Sequence, residues 1–278
     1  MLGFSDRALQ VISNYIEEFR KALRRLQFEP DPLYVQILSS EFEDMIKFRC
    51  LKYSRKKDVK KVEAGDANHV LKKFGRPTEL LKKIKGSFSQ RIILKSLKLI
   101  REALQKSKKP MVLDAGCGWG RYLKRLQTQN IENLEMVGVD LDSFSLHYGK
   151  MINKQANFLK SNVEALPFGG RTFDLILCNA VVHEIKTGQG REKLIRDFAY
   201  VLKSQGTLYI TDPFAKFRIV SFIFKMLQQV SPKTEEHFPK NHLEKILLRN
   251  SFKIVYEEKI DSNFREGTTT YVIIAIKS

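Results

Sequence analysis

The stretch Met111-Val-Leu-Asp-Ala-Gly-Cys-Gly-Trp-Gly120 constrains this chain more than any other. Met111, Val112 and Leu113 follow Pro110 as an apolar run the size of a buried strand, and Asp114 ends it. Gly116, Gly118 and Gly120 then alternate, and Arg121-Tyr-Leu-Lys-Arg-Leu126 opens a helical pattern. Strand, glycine turn and helix, in that order, are how a doubly wound sheet brings backbone close to a ligand at a helix N-terminus. Glycine removes the Cβ that would hold the ligand off, and it permits positive φ. The spacing argues against two common ligands. A dinucleotide fingerprint counted from Gly116 needs its third glycine at 121, where Arg121 stands, and the Gly-Lys-Ser/Thr of a phosphate-cradling P-loop is absent.

The pattern around this turn predicts an α/β fold. Candidate strands at 111–114, 134–139, 157–160, 173–178 and 207–211 alternate with candidate helices at 119–129, 143–154 and 190–203, which argues for a parallel sheet. Phe252–Asp261 and Thr268–Lys277 read as two more strands, parted by a short loop containing Gly267. With no room for a crossover helix they should form an antiparallel hairpin. Upstream, Leu9, Ile12, Ile16, Phe19, Leu23 and Leu26 mark an amphipathic helix over 4–27, with Ser5 as its N-cap. Asp31 caps a second helix that has Pro32 at its first position. Ile93, Leu97, Ile100 and Leu104 mark a third over 88–106. A boundary near Gly86 separates a helical extension, 1–86, from the glycine-loop domain, 87–278.

Charge is unevenly divided. Residues 1–109 hold 26 Lys+Arg against 13 Asp+Glu, whereas residues 110–278 hold 23 against 18. The basic clusters lie between Lys52 and Lys85, so this segment is expected to meet RNA or another polyanion. Cys50, Cys117 and Cys178 are odd in number and widely spaced, which reads as reduced thiols in a cytoplasmic protein. No zinc spacing, signal peptide or transmembrane span is visible, and no metal site is expected.

The run Asp-x-Gly-x-Gly-x-Gly from Asp114 to Gly120 closely resembles motif I of the class I S-adenosylmethionine-dependent methyltransferases, and later stations agree with it in order and spacing. The resemblance covers about residues 88–278, while residues 1–86 match nothing of the kind. It implies a Rossmann-like, mostly parallel seven-stranded sheet closed by the C-terminal antiparallel hairpin, with S-adenosylmethionine as cofactor and S-adenosylhomocysteine as product. On this resemblance Asp114, Gly116, Gly118 and Gly120 form the cofactor loop. Asp140, ending Leu134-Glu-Met-Val-Gly-Val-Asp140, takes the ribose hydroxyls, and Leu141 lies against the adenine. Ser161-Asn-Val-Glu-Ala-Leu-Pro-Phe168 is similar to the family's adenine segment. There Asn162 replaces the usual acid, its amide oxygen still able to accept from the amino group, and the Val163 backbone reads the neighbouring ring nitrogen. Phe173-Asp-Leu-Ile-Leu-Cys-Asn-Ala-Val-Val-His-Glu184 resembles the type 11 subgroup, with Asn179 and Ala180 bordering the methionine part.

The resemblance implies methyl transfer. If the acceptor arrives protonated a general base is needed, and His183, Glu184 and Asp212 are the candidates in that order. Thr211-Asp-Pro-Phe214 is similar to the box of amino-group methyltransferases, but it follows the fifth strand instead of the fourth, so N-methylation is not inferred. The basic extension favours RNA or another polyanion as acceptor. A small-molecule or lipid acceptor, held as an apolar substrate under a helix at 217–228, is the alternative. A non-catalytic cofactor-binding protein is the second alternative, against which the intact loop and Asp140 speak.

Overall fold

The computed structural model describes residues 3–26, 31–57, 59, 61–78, 90–215, 238–263 and 268–278. In chain order the elements are β1 (Gly3–Phe4), α1 (Asp6–Leu26), α2 (Pro32–Arg55), β2 (Lys61–Val62), α3 (Ala64–Phe74), α4 (Gln90–Leu104), β3 (Met111–Ala115), α5 (Arg121–Gln127), β4 (Glu135–Asp140), α6 (Ser143–Ile152), β5 (Ala156–Lys160), β6 (Phe173–Asn179), a 3₁₀ turn (Val182–Glu184), α7 (Gly188–Val201), β7 (Leu202–Ala215), α8 (Lys240–Arg249), β8 (Phe252–Asn263) and β9 (Thr268–Lys277). The chain divides into two compact units, Met1–Leu94 and Lys95–Ser278, and the division falls inside α4.

In the first unit α1, α2 and α3 pack on one another. Ile12, Ile16, Phe19 and Leu23 of α1 and Leu38, Phe42 and Ile46 of α2 are buried at the helical spacing read from the sequence. The Phe19 and Phe42 rings stack at 4.2 Å. Leu9, counted in the α1 stripe, instead leaves 40% of its surface exposed. Both expected caps are present. Ser5 Oγ accepts from the Ala8 N–H at 3.2 Å, and Asp31 Oδ1 accepts from the Leu33 and Tyr34 N–H groups at 2.8 and 3.3 Å. Three elements of this unit were not foreseen: α3, opened by reciprocal bonds between Glu63 and Asp66, and the parallel pair β1 and β2.

The second unit is built on a seven-stranded sheet of order β5-β4-β3-β6-β7-β9-β8. β5, β4, β3, β6 and β7 run parallel; β9 pairs antiparallel with both β7 and β8. β3 and β6 are buried nearly throughout, as a strand covered on both faces must be. The chain passes from β3 outward to β4 and β5, then returns to the other side of β3 for β6. That reversal places a crevice beyond the carboxyl ends of β3 and β6, where open α/β sheets take their ligands. β7 is longer than the sequence pattern implied. It starts where α7 ends at Val201 and continues past Pro213 to Ala215, so Asp212 is a strand residue opposite Tyr271.

Candidate active site

Three glycines turn the chain out of β3 at left-handed φ: Gly116 at 74°, Gly118 at 54° and Gly120 at 77°. The reason differs along the loop. A Cβ on Gly116 would lie 2.3 Å from Val181 Cγ2, and one on Gly120 would lie 2.7 Å from the Phe158 ring, so both are fixed by packing. A Cβ on Gly118 would meet nothing within 4 Å; there the backbone itself faces open space. The Gly116 and Cys117 N–H groups both donate to the Val139 carbonyl at 2.9 Å, which fastens the loop to the end of β4.

Asp140 stands at that end. Its Oδ2 accepts from the Gly118 N–H at 2.8 Å and its Oδ1 from the Asp142 N–H at 2.8 Å. Each oxygen has a second lone pair, so the carboxylate can still accept from two hydroxyls. Asp142, and not Asp140, caps α6 through the Phe144 N–H at 3.1 Å. The adjacent Leu141 leaves 62% of its surface exposed.

Asp114 lies beneath the loop, 1% exposed, and its Oδ2 has no hydrogen-bond partner among the described residues. Burial pushes its carboxyl up to about 7; the Arg121 charge opposes the rise and the Asp140 charge adds to it. A buried carboxylate with an unused oxygen suits a cationic ligand group.

The remaining residues come from the ends of β5 and β6. Asn162 is exposed, and its Oδ1 accepts from the Glu164 N–H at 3.0 Å, which leaves that oxygen one further lone pair; Val163 packs partly against the core. Asn179 Oδ1 accepts from the Tyr122 hydroxyl at 2.8 Å. Tyr122 was missed in the sequence. The signal was its place in the first turn of the helix after the glycine loop, facing the end of β6. Ala180 takes a left-handed φ of 55° and donates its N–H to the Thr211 carbonyl at 2.7 Å.

The turn that follows is organised by one carboxylate. Asp212 Oδ2 accepts from the Val181 and Val182 N–H groups at 3.0 and 2.9 Å, and Oδ1 accepts from the His183 N–H at 3.2 Å. His183 Nδ1 lies 3.0 Å from the same Oδ1, so an ionised Asp212 places the imidazole proton on Nδ1 and leaves Nε2 the acceptor nitrogen. Asp212 is 0% exposed and His183 7%. Asp212, the third candidate base named from the sequence, lies beneath the turn and accepts from its successive N–H groups. Glu184, on the same turn, is exposed. Asp114, the glycine loop and Asp140 thus form one group, His183 and Asp212 a second, and the Val181 methyl against Gly116 joins them. Among the described residues no group of His, Cys, Asp and Glu could hold a metal ion.

Residues 113–210 match the family described as Methyltransferase domain. The matched stretch of the glycine-loop unit is similar to that family, and the unit's sheet has the class I methyltransferase order.

Known proteins similar to this methyltransferase domain differ in what their names describe. A demethylmenaquinone methyltransferase of Thermotoga maritima is 27% identical over 144 residues, 52% of this chain and 61% of that protein. A probable tRNA methyltransferase 9B of Homo sapiens is 31% identical over 112 residues, 40% of this chain and 23% of that protein. The curated relatives are each matched over less than two thirds of their length. The crystal structure of an S-adenosylmethionine-dependent methyltransferase from Methanosarcina mazei shares the fold. Its TM-score is 0.53 at 20% identity, covering 64% of this chain and 96% of that one. S-adenosylmethionine is the cofactor of the class, and the residues here fit it. The open backbone at Gly118 admits a ligand, Asp140 can accept from a ribose, and the unused Asp114 oxygen suits an ammonium group.

Proposed function

We propose that this chain is an S-adenosylmethionine-dependent methyltransferase whose acceptor is carried on RNA or another polyanion. The observation that carries the transferase reading is the Asp140 carboxylate held against the Gly118 N–H at 2.8 Å, beside a glycine whose Cβ direction meets no described atom within 4 Å. Bound S-adenosylmethionine supplies an electrophilic methyl group on a sulfonium whose charge is lost on transfer. The protein's task is therefore to align an acceptor and to keep water away. Asp114, Gly116, Gly118, Gly120, Asp140, Leu141, Asn162, Val163, Asn179 and Ala180 are assigned to hold the cofactor. His183 is assigned as the base that takes the acceptor's proton at Nε2, with Asp212 fixing its tautomer and orientation. Exposed Glu184 is the second candidate.

The acceptor reading rests on charge: the excess of 26 Lys+Arg over 13 Asp+Glu in residues 1–109 has no evident use toward a small neutral metabolite. The similarity to a demethylmenaquinone methyltransferase supports a small apolar acceptor as the second reading. The 217–228 helix assigned to cover such a substrate lies outside the described residues, as does Lys82–Lys85 of the basic segment. Among the described residues no helix is long and apolar enough to cross a membrane.

The deciding experiment offers methyl-labelled S-adenosylmethionine and the full chain to total RNA, to a lipid extract and to a small-metabolite fraction. Nuclease-sensitive label in the RNA arm is the expected result. Label only in the lipid or metabolite arm would replace the acceptor, and no transfer in any arm, with cofactor bound, would favour a non-catalytic binding protein.

A further inference from the structure

The three-helix unit holds a concave site that the methyltransferase reading does not use. Between the C-terminal half of α2 and the face of α3 lies a cleft of about 400 Å³. Arg49, Lys52, Lys56 and Lys73 line it, all exposed, and among the described residues no carboxylate does. Its walls are the half-buried rings of Phe48, Tyr53 and Phe74. Cations and rings alternate closely: Arg49 lies over Phe74 at 5.0 Å, Lys52 over Phe48 at 5.9 Å and Lys73 over Tyr53 at 5.7 Å. Tyr53 also stacks on His69 at 4.5 Å and 15°, and Lys57 lies over the same ring at 4.4 Å, so a base would take the place of that lysine. Asp66, close by in sequence, is engaged by Lys57 at 2.9 Å.

Like charges gathered in a cleft repel one another and focus a positive potential that draws an anion in. A neighbouring cleft shows the contrast. It is lined by Arg20 and Arg24, but Glu43 lines it too, and Arg20 lies 3.5 Å from Glu17 and 3.9 Å from Glu43. Its charge is partly offset within its own lining. The α2–α3 cleft has no such compensation in its lining, and it adds aromatic surface, which a bare phosphate does not need. A flat membrane surface would be met by a basic face, not by a recess with ring walls. Phosphates and flat bases in alternation along one chain are what such walls complement.

We propose that the α2–α3 cleft binds single-stranded nucleic acid, taking phosphates on Arg49, Lys52, Lys56 and Lys73 and a base against Tyr53 and Phe74. The proposal deepens the acceptor reading above and rests on it for the choice of RNA. The probe is a fluorescent oligouridylate of about 12 nucleotides, within the range of site sizes for one such groove. It is titrated with the full chain by anisotropy from about 50 to 200 mM salt, alongside the deoxy oligomer. Each phosphate contact on a single strand contributes roughly 0.7 to the salt slope, so Lys52, Lys56 and Lys73 changed together to Ala should flatten it by about 2. Tyr53→Leu should weaken binding about tenfold with the slope unchanged, because a stacked ring releases no counterion. Tyr53→Phe keeps the ring and should bind as the parent does, which separates loss of the ring from loss of fold. Lys106, Lys108 and Lys109, exposed on the other unit, are changed to Ala as an equal-charge control and should leave the slope in place.

Three results would overturn the proposal: a control triple that costs as much as the cleft triple, Leu and Phe at position 53 binding alike, or cleft-dependent binding of anionic phospholipid vesicles with none of the oligomer. The acceptor reading fails separately. RNA methylated by a cleft variant at the parental rate and affinity sinks the cleft alone. Cleft-dependent binding without methyl transfer to RNA sinks the acceptor alone.

Discussion

Asp114 should make the cofactor-free protein pay a stability cost that one atom's change removes. Its carboxyl is buried to 1% exposure, and its pKa rises from 3.8 to about 7. An acid whose folded pKa is raised binds its proton more tightly when native, so stability falls as pH rises between the two values. The cost is absent below about pH 3.8, where both states are protonated, and complete above about 7, where it amounts to about 4 kcal/mol at about 1.4 kcal/mol per unit. Asp114→Asn keeps the shape and removes the titration. A buried amide brings its own penalty, but that penalty does not vary with pH and cancels when two pH values are compared. Between pH 5 and 9 the variant's stability relative to the parent should therefore rise by about 3 kcal/mol. Urea denaturation of both proteins, stripped of cofactor, at the two pH values measures this. A stability difference that is the same at pH 5 and pH 9 would refute the reasoning, since it would mean that Asp114 ionises freely in its buried position. Cofactor binding supplies the mirror image. If Asp114 meets an ammonium group, parental affinity should rise with pH up to about 7 while that of Asp114→Asn stays flat.

Other perturbations separate the roles of neighbouring residues. Asp140→Ala removes the acceptor of the Gly118 and Asp142 N–H groups and should weaken S-adenosylhomocysteine binding by about 1.5–3 kcal/mol per charged hydrogen bond lost, read by calorimetry. Gly118→Ala and Gly120→Ala both force a side chain into left-handed backbone, at roughly 1–2 kcal/mol. Only the second also meets the Phe158 ring, so Gly120→Ala should lower Tm by more, whereas Gly118→Ala should chiefly lower cofactor affinity. His183→Ala should lower the rate of methyl transfer by about 10²–10⁴-fold, the usual contribution of a general base, while leaving cofactor affinity near the parental value. Asp212→Asn should lower both activity and stability, because four donors lose their carboxylate.

The sheet was readable because its signals are local. The glycine turn, the acid about 20 residues beyond it and a hairpin too tight for a crossover are short-range facts, and each stands where the spacing put it. α3 was hidden because Ala67, Val70 and Leu71 are a brief apolar stripe inside a Lys-rich stretch, opened by Glu63 where Ser, Thr, Asp or Asn would have signalled a cap. β7 was cut short at Thr211 because a proline usually ends a strand; Pro213 is accommodated opposite Thr270, toward the end of the pairing with β9. That error hid the role of Asp212. A carboxylate inside a strand, satisfied by three successive N–H groups some 30 residues earlier in the chain, leaves no trace in local spacing. Tyr122 stands in the first turn of the helix after the glycine loop, but its role shows only in its bond to Asn179, 57 residues away.

The contact between Gly116 and Val181 has an evolutionary consequence. The Val181 Cγ2 atom stands where a Cβ on residue 116 would be, at 2.3 Å, while Val181 Cβ is 3.6 Å from that point and in ordinary contact range. A side chain at 116 is therefore barred by one methyl group on a different loop. Lineages descending from this sequence would have an ordered path. Val181→Ala opens a small cavity at modest cost, and only afterwards does Gly116→Ala become tolerable, against the remaining strain of φ 74°. Taken in the other order, the first step passes through a protein whose cofactor loop and β6 turn cannot both keep their places. The two positions should accordingly show sign epistasis, each constraining which substitutions drift can fix at the other.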